Sequence, residues 1–394
     1  MSRKRHVAVV IDFNWPFKRH YEIFAGIREF AEKHGDWTFD LGNFPDYEIA
    51  HGKHYDGMVG RIGKDCHLAA LKARIPVVNT WIDSPAADKM PGVQFDSRAI
   101  GRMAAEHLIV RGFRRLAHFG YKASVDSKLH YQGMCEVARE HGYPCIRHST
   151  NPWFGINANN WWKFVENVKR VQDRWEAPQG LAVPYDELGH AVSAICRSAG
   201  WEIPEQLALV SCGNDLPICN ASNPALSSID RGDWKCGFEA ARMLDDLMRG
   251  KKPPLEILMI PLKELVVRKS SDIHAVSDPR VARALSYMVR DSSAKLSVQD
   301  IAQFAGVGRQ TLERGFQTHL GRTINEELIR LRISKLKRLL VGSEESIKEL
   351  STKVGFGTTA NMFPMFKRHT GMTPKEYREK HGPSPGIQEL WDKK

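Results

Sequence analysis

Hydrophobic positions in the first 270 residues follow two alternating rhythms. Continuous apolar runs, Val7-Ala8-Val9-Val10-Ile11 first and then residues 55–60, 75–79, 116–119, 180–183 and 207–211, have the length and composition of buried strands. Between them apolar residues recur at helical spacing. In 21–33, Ile23, Phe24, Ile27 and Phe30 share a side, and the pattern returns over 68–73, 97–110, 129–141, 188–199 and 234–249. Strand runs alternating with helices predict βαβ units and parallel sheets. Two such series, with a Trp-rich stretch at Trp153, Trp161 and Trp162 between them, predict two α/β lobes and a crevice between the lobes.

After residue 270 the rhythm changes. Residues 271–278 are polar and precede Pro279, which suits the first turn of a helix through 288, so a joint between domains is expected here. From 296 to 377 the helical pattern is written nearly twice. Ser297 and Ser346 can each cap a helix, Asp300 and Glu349 follow three residues later, and Gly306 and Gly355 close each short segment. A second helix follows each glycine, ending with Phe316 ahead of Gly321-Arg322-Thr323 and with Phe366 ahead of Gly371-Met372-Thr373. A short helix, a turn and a second helix, made twice, predict a tandem helix-turn-helix. Thr323 and Glu326 open the helix that joins the two copies. About 18 residues at 1.5 Å each make a rod of ~27 Å, so the two recognition helices could enter successive major grooves, which repeat every ~34 Å.

Charge sharpens this division. The chain carries a formal +11, and between residues 279 and 380 19 Lys and Arg face 10 Asp and Glu, which leaves the remainder nearly neutral. A basic end on a neutral body favours DNA as the partner of that end. The apolar run behind the basic N-terminus is too short for a signal sequence or a membrane span. Seven cysteines without regular spacing suit a reducing cytoplasm and buried thiols. There is no Gly-x-Ser-x-Gly elbow, Walker A loop, His-Glu-x-x-His or Gly-x-Gly-x-x-Gly after a strand, so no enzyme, cofactor or metal site is expected, and His51, His54, Cys66 and His67 read as an incidental cluster.

Open α/β sheets bind ligands beyond the carboxyl ends of their strands. The polar residues there are Asn14 and Trp15, Trp81 and Asp83, Asp96, Tyr185 and Asp186, Asn214 and Asp215, and Asp230 and Arg231. Carboxylates, amides and guanidinium groups hydrogen-bond hydroxyls, and indole offers a flat face to the C–H side of a sugar ring. Each Asp or Asn alone reads equally as a turn former or helix cap. Their recurrence at strand ends predicts a polyol pocket.

Asp56-Gly57-Met58-Val59, Ile75-Pro76-Val77-Val78, Leu226-Ser227-Ser228-Ile229-Asp230 and Leu265-Val266-Val267-Arg268-Lys269-Ser270-Ser271 resemble the effector domain of LacI/GalR-type regulators, which is related to periplasmic sugar-binding proteins. The resemblance implies an effector domain over 1–270. It adds His130 to the candidate ligand residues, at a position where the family commonly has Arg. Gly213 stands where a ligand-contacting Asp commonly precedes the position of Asn214, and both departures leave the sugar open.

Residues 279–380 resemble the AraC/XylS DNA-binding domain, with Gly371-Met372-Thr373-Pro374-Lys375-Glu376-Tyr377-Arg378 close to that family's ending, and 381–394 are left as a tail. The first recognition helix is expected over 309–319, with Leu312 and Phe316 inward and Arg309, Gln310, Glu313 and Arg314 toward DNA. Arg reads guanine, Gln adenine and Glu cytosine. In the second, over 358–369, Thr359 and Asn361 are candidate base contacts and Lys367 and Arg368 candidate phosphate contacts. Pro364 lacks the N–H of an interior helix position and is expected to bend that helix, so the first motif should dominate specificity. An effector domain followed by such a reader is the arrangement of the xylose operon regulators. That resemblance implies a cytoplasmic transcription activator, working as a homodimer with operator DNA and RNA polymerase, and a pentose effector, D-xylose first. The alternatives are a regulator indifferent to sugar and one that answers a different monosaccharide.

Overall fold

The computed structural model describes residues 4–11, 19–34, 36–42, 44–152, 158–254, 256–273, 276, 278–290, 296–343 and 345–381. The chain opens with β1 (Arg5–Val10), α1 (Arg19–His34), β2 (Trp37–Leu41), α2 (Pro45–Ala50), β3 (Gly57–Gly60), α3 (Lys64–Ala73), β4 (Val77–Asn79) and β5 (Val93–Phe95). The first lobe's parallel sheet runs in the order β2-β1-β3-β4, and a parallel bridge from Asn79 to Gly92 continues it toward β5. Side chains alternate across it. Val7, Val9, Val59 and Val78 pack with Ile23 and Ile27 of α1, whereas Ala8, Val10, Met58 and Val77 pack with Cys66 and Ala70 of α3.

Helix α4 (Ser97–Val110) carries the chain to the second lobe, made of β6 (Arg115–Tyr121), α5 (Val125–Glu140), β7 (Cys145–Thr150), α6 (Ala158–Gln172), β8 (Gln179–Ala182), α7 (Asp186–Ser198), β9 (Leu207–Cys212), α8 (Leu216–Ala221) and β10 (Ser227–Asp230). Helix α9 (Asp233–Met248) returns to the first lobe, where β11 (Leu258–Ile260) pairs with β5, and β12 (Glu264–Val266) crosses back. The second sheet has the order β12-β10-β9-β8-β6-β7, with β12 antiparallel. Both series predicted from the apolar runs are present. Helix α5 starts earlier than the apolar pattern suggests, because Ser124 caps it by accepting from the Ser127 N–H. Close helix crossings need glycine: a Cβ at Gly101 would lie 1.9 Å from the His130 carbonyl oxygen, and one at Gly133 2.0 Å from that of Arg98, so α4 and α5 meet backbone to backbone. Trp161 packs at the edge of the second lobe's core and Trp162 is exposed, while Trp153 lies outside the described residues. None of the seven cysteines is in a disulfide.

Ser270 and Ser271 are fully buried and bonded to Leu209, Ser227 and His107, so the effector fold runs through Ser271 and the joint begins after it. The C-terminal domain comprises α10 (Pro279–Arg290), α11 (Val298–Ala305), α12 (Arg309–Leu320), α13 (Ile324–Gly342), α14 (Ile347–Lys353), α15 (Thr359–Thr370) and α16 (Pro374–His381). Reciprocal capping boxes start α11 (Ser297 with Asp300), α13 (Thr323 with Glu326) and α14 (Ser346 with Glu349), and Thr373 and Glu376 exchange the same pair of bonds at α16. The long α13 serves both halves. Ile324, Leu328 and Leu331 belong to one core with α10, α11 and α12, while Ile333, Leu336 and Leu340 belong to another with α14, α15 and α16.

Candidate functional site

The strand ends of the two lobes enclose a cavity of about 370 Å³. Its first-lobe wall is His20, Ile23, Arg61, Thr80, Trp81, Ile82, Asp83, Gln94 and Phe95, and its second-lobe wall is Ser97, Tyr121, Ala123, Ser124, Asp126, Asn151, Pro152 and Tyr185, with Arg231 where the chain crosses back. Local chemistry fixes these groups. Asn79, fully buried at the end of β4, donates from Nδ2 to the Trp81 carbonyl at 2.8 Å and accepts at Oδ1 from the Trp81 N–H at 3.0 Å, which sets the indole at the rim. The Arg61 guanidinium lies 4.5 Å from the centre of that ring and 3.4 Å from His20 Nε2. Tyr121 and Tyr185 stack at 5.5 Å.

Arg231, Asp126 and Asp83 are each held by neighbouring groups. Burial disfavours the Arg231 cation, but Asp233, bonded at Nη2 (2.7 Å) and Nε (3.1 Å), outweighs burial and raises its pKa. Its guanidinium also covers the Phe95 ring at 4.1 Å. Burial alone would push the Asp126 carboxyl up. His130, 3.4 Å away, with Arg231 and Ser97 reverses this and holds it well below the usual carboxylate range. Asp126 also accepts from Tyr185 Oη at 3.2 Å. Asp83 reaches from the first lobe to the start of α5 in the second, accepting from Ser124 Oγ (3.1 Å) and from the N–H groups of Val125 (2.7 Å) and Asp126 (3.3 Å). Those N–H groups have no partner within the helix. Burial first, and the Asp126 charge second, raise the pKa of Asp83.

The sequence candidates divide accordingly. Asp83, Arg231, Trp81 and Tyr185 line the cavity, and Asn14 and Trp15 lie outside the described residues. Others differ from expectation. Asp96 caps α4 through the Ala99 N–H. His130 is buried behind Asp126. Asp186 is buried among Ser211 Oγ, Ser228 Oγ and the Asp215 N–H, binding strand ends to one another. Asn214, at φ +54°, accepts from Arg268, Asp215 caps α8, and Asp230 accepts from the Gly232 N–H and Lys263. At Asp96, Asn214, Asp215 and Asp230 the cap and turn roles prevailed. The pattern missed His20, Arg61, Thr80, Gln94, Ser97, Ser124, Asp126 and Asn151. Ser124 and Asp126 carried a signal, a helix start directly after a strand.

In the C-terminal domain, Leu312, Phe316 and Leu320 turn α12 inward, leaving Arg309, Gln310 and Arg314 exposed. Glu313 differs: it is half-buried and accepts from the Ile324 N–H at 3.3 Å, which ties it to the start of α13. On α15, Met362 and Phe366 face inward, Asn361, Lys367 and Arg368 are exposed, and Thr359 is half-buried. The helix continues through Pro364, with Phe363 and Met365 partly exposed beside it.

The two domains touch through the second lobe. Arg330 of α13 donates to the Val110 carbonyl, at the end of α4, at 3.3 Å and is paired with the completely buried Glu327, which also binds Arg322. Arg114 donates to the His319 carbonyl of α12 at 3.0 Å, and Lys337 lies 3.5 Å from Glu140 at the end of α5. Thus α4 and α5 begin at the cavity, at Ser97 and Asp126, and end against the C-terminal domain.

Residues 105–271 match the periplasmic binding protein-like domain family, and residues 301–380 match a helix-turn-helix domain family. The sequence is 24% identical to the xylose operon regulatory protein of Escherichia coli (strain K12) over 394 residues, covering 96% of this chain and 98% of that one. It is 25% identical to the protein of the same name from Haemophilus influenzae over 293 residues, 73% of this chain and 74% of that one. The fold matches a solved xylose-binding transcription activator with a TM-score of 0.58 at 20% identity, covering 97% of this chain and 99% of that chain. A LacI-type regulator from Alkaliphilus metalliredigens, solved with D-xylulofuranose, matches with a TM-score of 0.55 at 18% identity, over 68% of this chain and 99% of its own.

Proposed function

We propose, from the premise that this chain is a xylose-operon-type regulator joining a sugar-binding domain to an AraC-type DNA reader, that it is a cytoplasmic, homodimeric transcription activator switched by a pentose, D-xylose first. The observation that carries the reading is the cavity between the lobes, whose second-lobe wall is continuous with the two helices that touch the reader. Asp83, bonded to the start of α5, holds the two lobes together around a sugar. A shift of α4 or α5 relative to the first lobe then moves α13 through Arg330 and Lys337, and α13 spaces the two recognition helices. On DNA, Arg309, Gln310 and Arg314 serve as the base-reading set, Asn361 adds a contact from the second motif, and Lys367 and Arg368 hold phosphate. Exposure of these side chains supports the assignment. As an activator, the DNA-bound dimer would engage RNA polymerase.

A ligand switches this system only by binding one lobe arrangement better than another. The test is a thermal-shift screen of pentoses and hexoses on the full chain, followed by operator binding with and without the best hit. D-xylose is expected to raise the unfolding temperature and to change operator affinity by at least about fivefold, the lower end of usual coupling. Operator binding indifferent to every sugar would refute the switch.

A further inference from the structure

Among the cavity's charged groups, Arg231 is matched by Asp233, Asp126 by Ser97, Tyr185 and His130, and Asp83 by the start of α5, so they act chiefly as framework. Thr80 and Gln94 differ. Thr80 is 8% exposed and Gln94 3% exposed, both line the cavity, and Thr80 Oγ1 and Gln94 Nε2 have no hydrogen-bond partner among the described residues. Their backbones are fixed: the Thr80 N–H donates to the Gly60 carbonyl at 2.8 Å, and Gln94 lies inside β5, paired in register with Met259. They belong to adjacent strand segments, joined at the Asn79 to Gly92 bridge. A buried polar atom left unpaired is unfavourable, and buried polar groups nearly always find partners.

We infer that Thr80 and Gln94 are the specificity-determining pair of this cleft, recognising a neutral polyol through two hydroxyls, one accepting from Gln94 Nε2 and one bonded to Thr80 Oγ1. The inference rests on the reading of the cavity as the sugar site. Both residues lie on the first lobe, so that lobe discriminates among sugars, and the second lobe, through Ser124, Asp126 and Tyr185, reports that a ligand is present.

Thr80→Val and Gln94→Met keep the side-chain volume and remove the unpaired atoms. In the full chain without ligand, each is expected to unfold at the same temperature as wild type or higher, whereas loss of a structural hydrogen bond would lower it. By calorimetry, D-xylose binding to each is expected to weaken by about tenfold or more, the loss of roughly one good hydrogen bond. Across monodeoxy-xyloses, the analogue that lacks the Thr80 partner should bind wild type and Thr80→Val equally weakly. Variants that bind D-xylose as wild type does, or that unfold early without ligand, would overturn the assignment. If wild type ignores D-xylose and binds another neutral sugar, the pentose reading fails and the same comparison with that sugar decides the pair. Binding of sugar phosphates alone would overturn it.

Discussion

Replacing Arg330 by methionine probes the joint between cleft and reader. Its guanidinium meets Glu327 at 2.6 Å and 2.9 Å and donates to the Val110 carbonyl at 3.3 Å. Burial pushes the Glu327 carboxyl pKa up, and Arg330 with Arg322 outweighs burial and holds it below its ordinary value. Methionine fills the aliphatic volume and strands part of that buried charge. Breaking a buried ion pair from one side costs about 3–5 kcal/mol, and since Arg322 stays bound the lower end, about 3 kcal/mol, is expected here. Removing both charges, Glu327→Leu with Arg330→Met, should recover part of the loss, because no stranded anion remains and Arg322, whose side chain is 23% exposed, can turn to solvent. The folded pKa of Glu327 is depressed, so its stabilisation is present above the unfolded value of about 4.3 and is lost as pH falls through the folded value. Wild type and Arg330→Met should therefore converge in acid. Denaturant titrations at neutral and acid pH measure these differences. The single variant also loses the bond to α4, so the sugar-dependent change in operator affinity should shrink, with the Lys337–Glu140 and Arg114–His319 contacts left to carry the remainder. A single variant as stable and as sugar-responsive as wild type would refute the reasoning, as would a double variant less stable than the single.

Other perturbations address the cleft and the reader separately. Asp83→Ala removes three bonds that tie the first lobe to α5, and small-angle scattering should show a more open sugar-bound form, with sugar affinity lowered by about tenfold. Unchanged closure would show that Asp83 does not hold the lobes. Arg314→Ala should cost about 1–3 kcal/mol of discrimination at one base pair. It should exceed the effect of any substitution within 358–364, and footprinting on operator variants would expose the reverse order. Pro364→Ala restores an N–H inside α15 and should stabilise the C-terminal domain by up to about 3 kcal/mol, read from thermal unfolding, if the proline carries its usual interior cost.

Local signals made much of the molecule legible before its structure. Ser297, Thr323, Ser346 and Thr373, each with an acid three residues on, predicted helix starts that the structure contains, because a capping box is complete within four residues. The apolar runs likewise located β1, β3, β4, β6, β8 and β9, whereas β2, β5, β7, β10, β11 and β12 lay outside them. Glu313 shows where such reading stops. Periodicity put it outward, and only the approach of Ile324 after the Gly321 turn gives its carboxylate an acceptor role there.

The cleft follows the same division. The sequence alone determined that polar residues gather at strand ends, that two α/β lobes precede a tandem helix-turn-helix, and that positive charge is concentrated in the latter. It could not say which strand-end carboxylate faces the cavity, since Asp83 and Asp186 are chemically identical and both suit a helix start. The tertiary structure decided it: Ser211 and Ser228 converge on Asp186 from β9 and β10, while Asp83 reaches across to α5. Thr80 and Gln94 gain their meaning the same way, because a polar atom counts as unpaired only once every other group has taken its place around it.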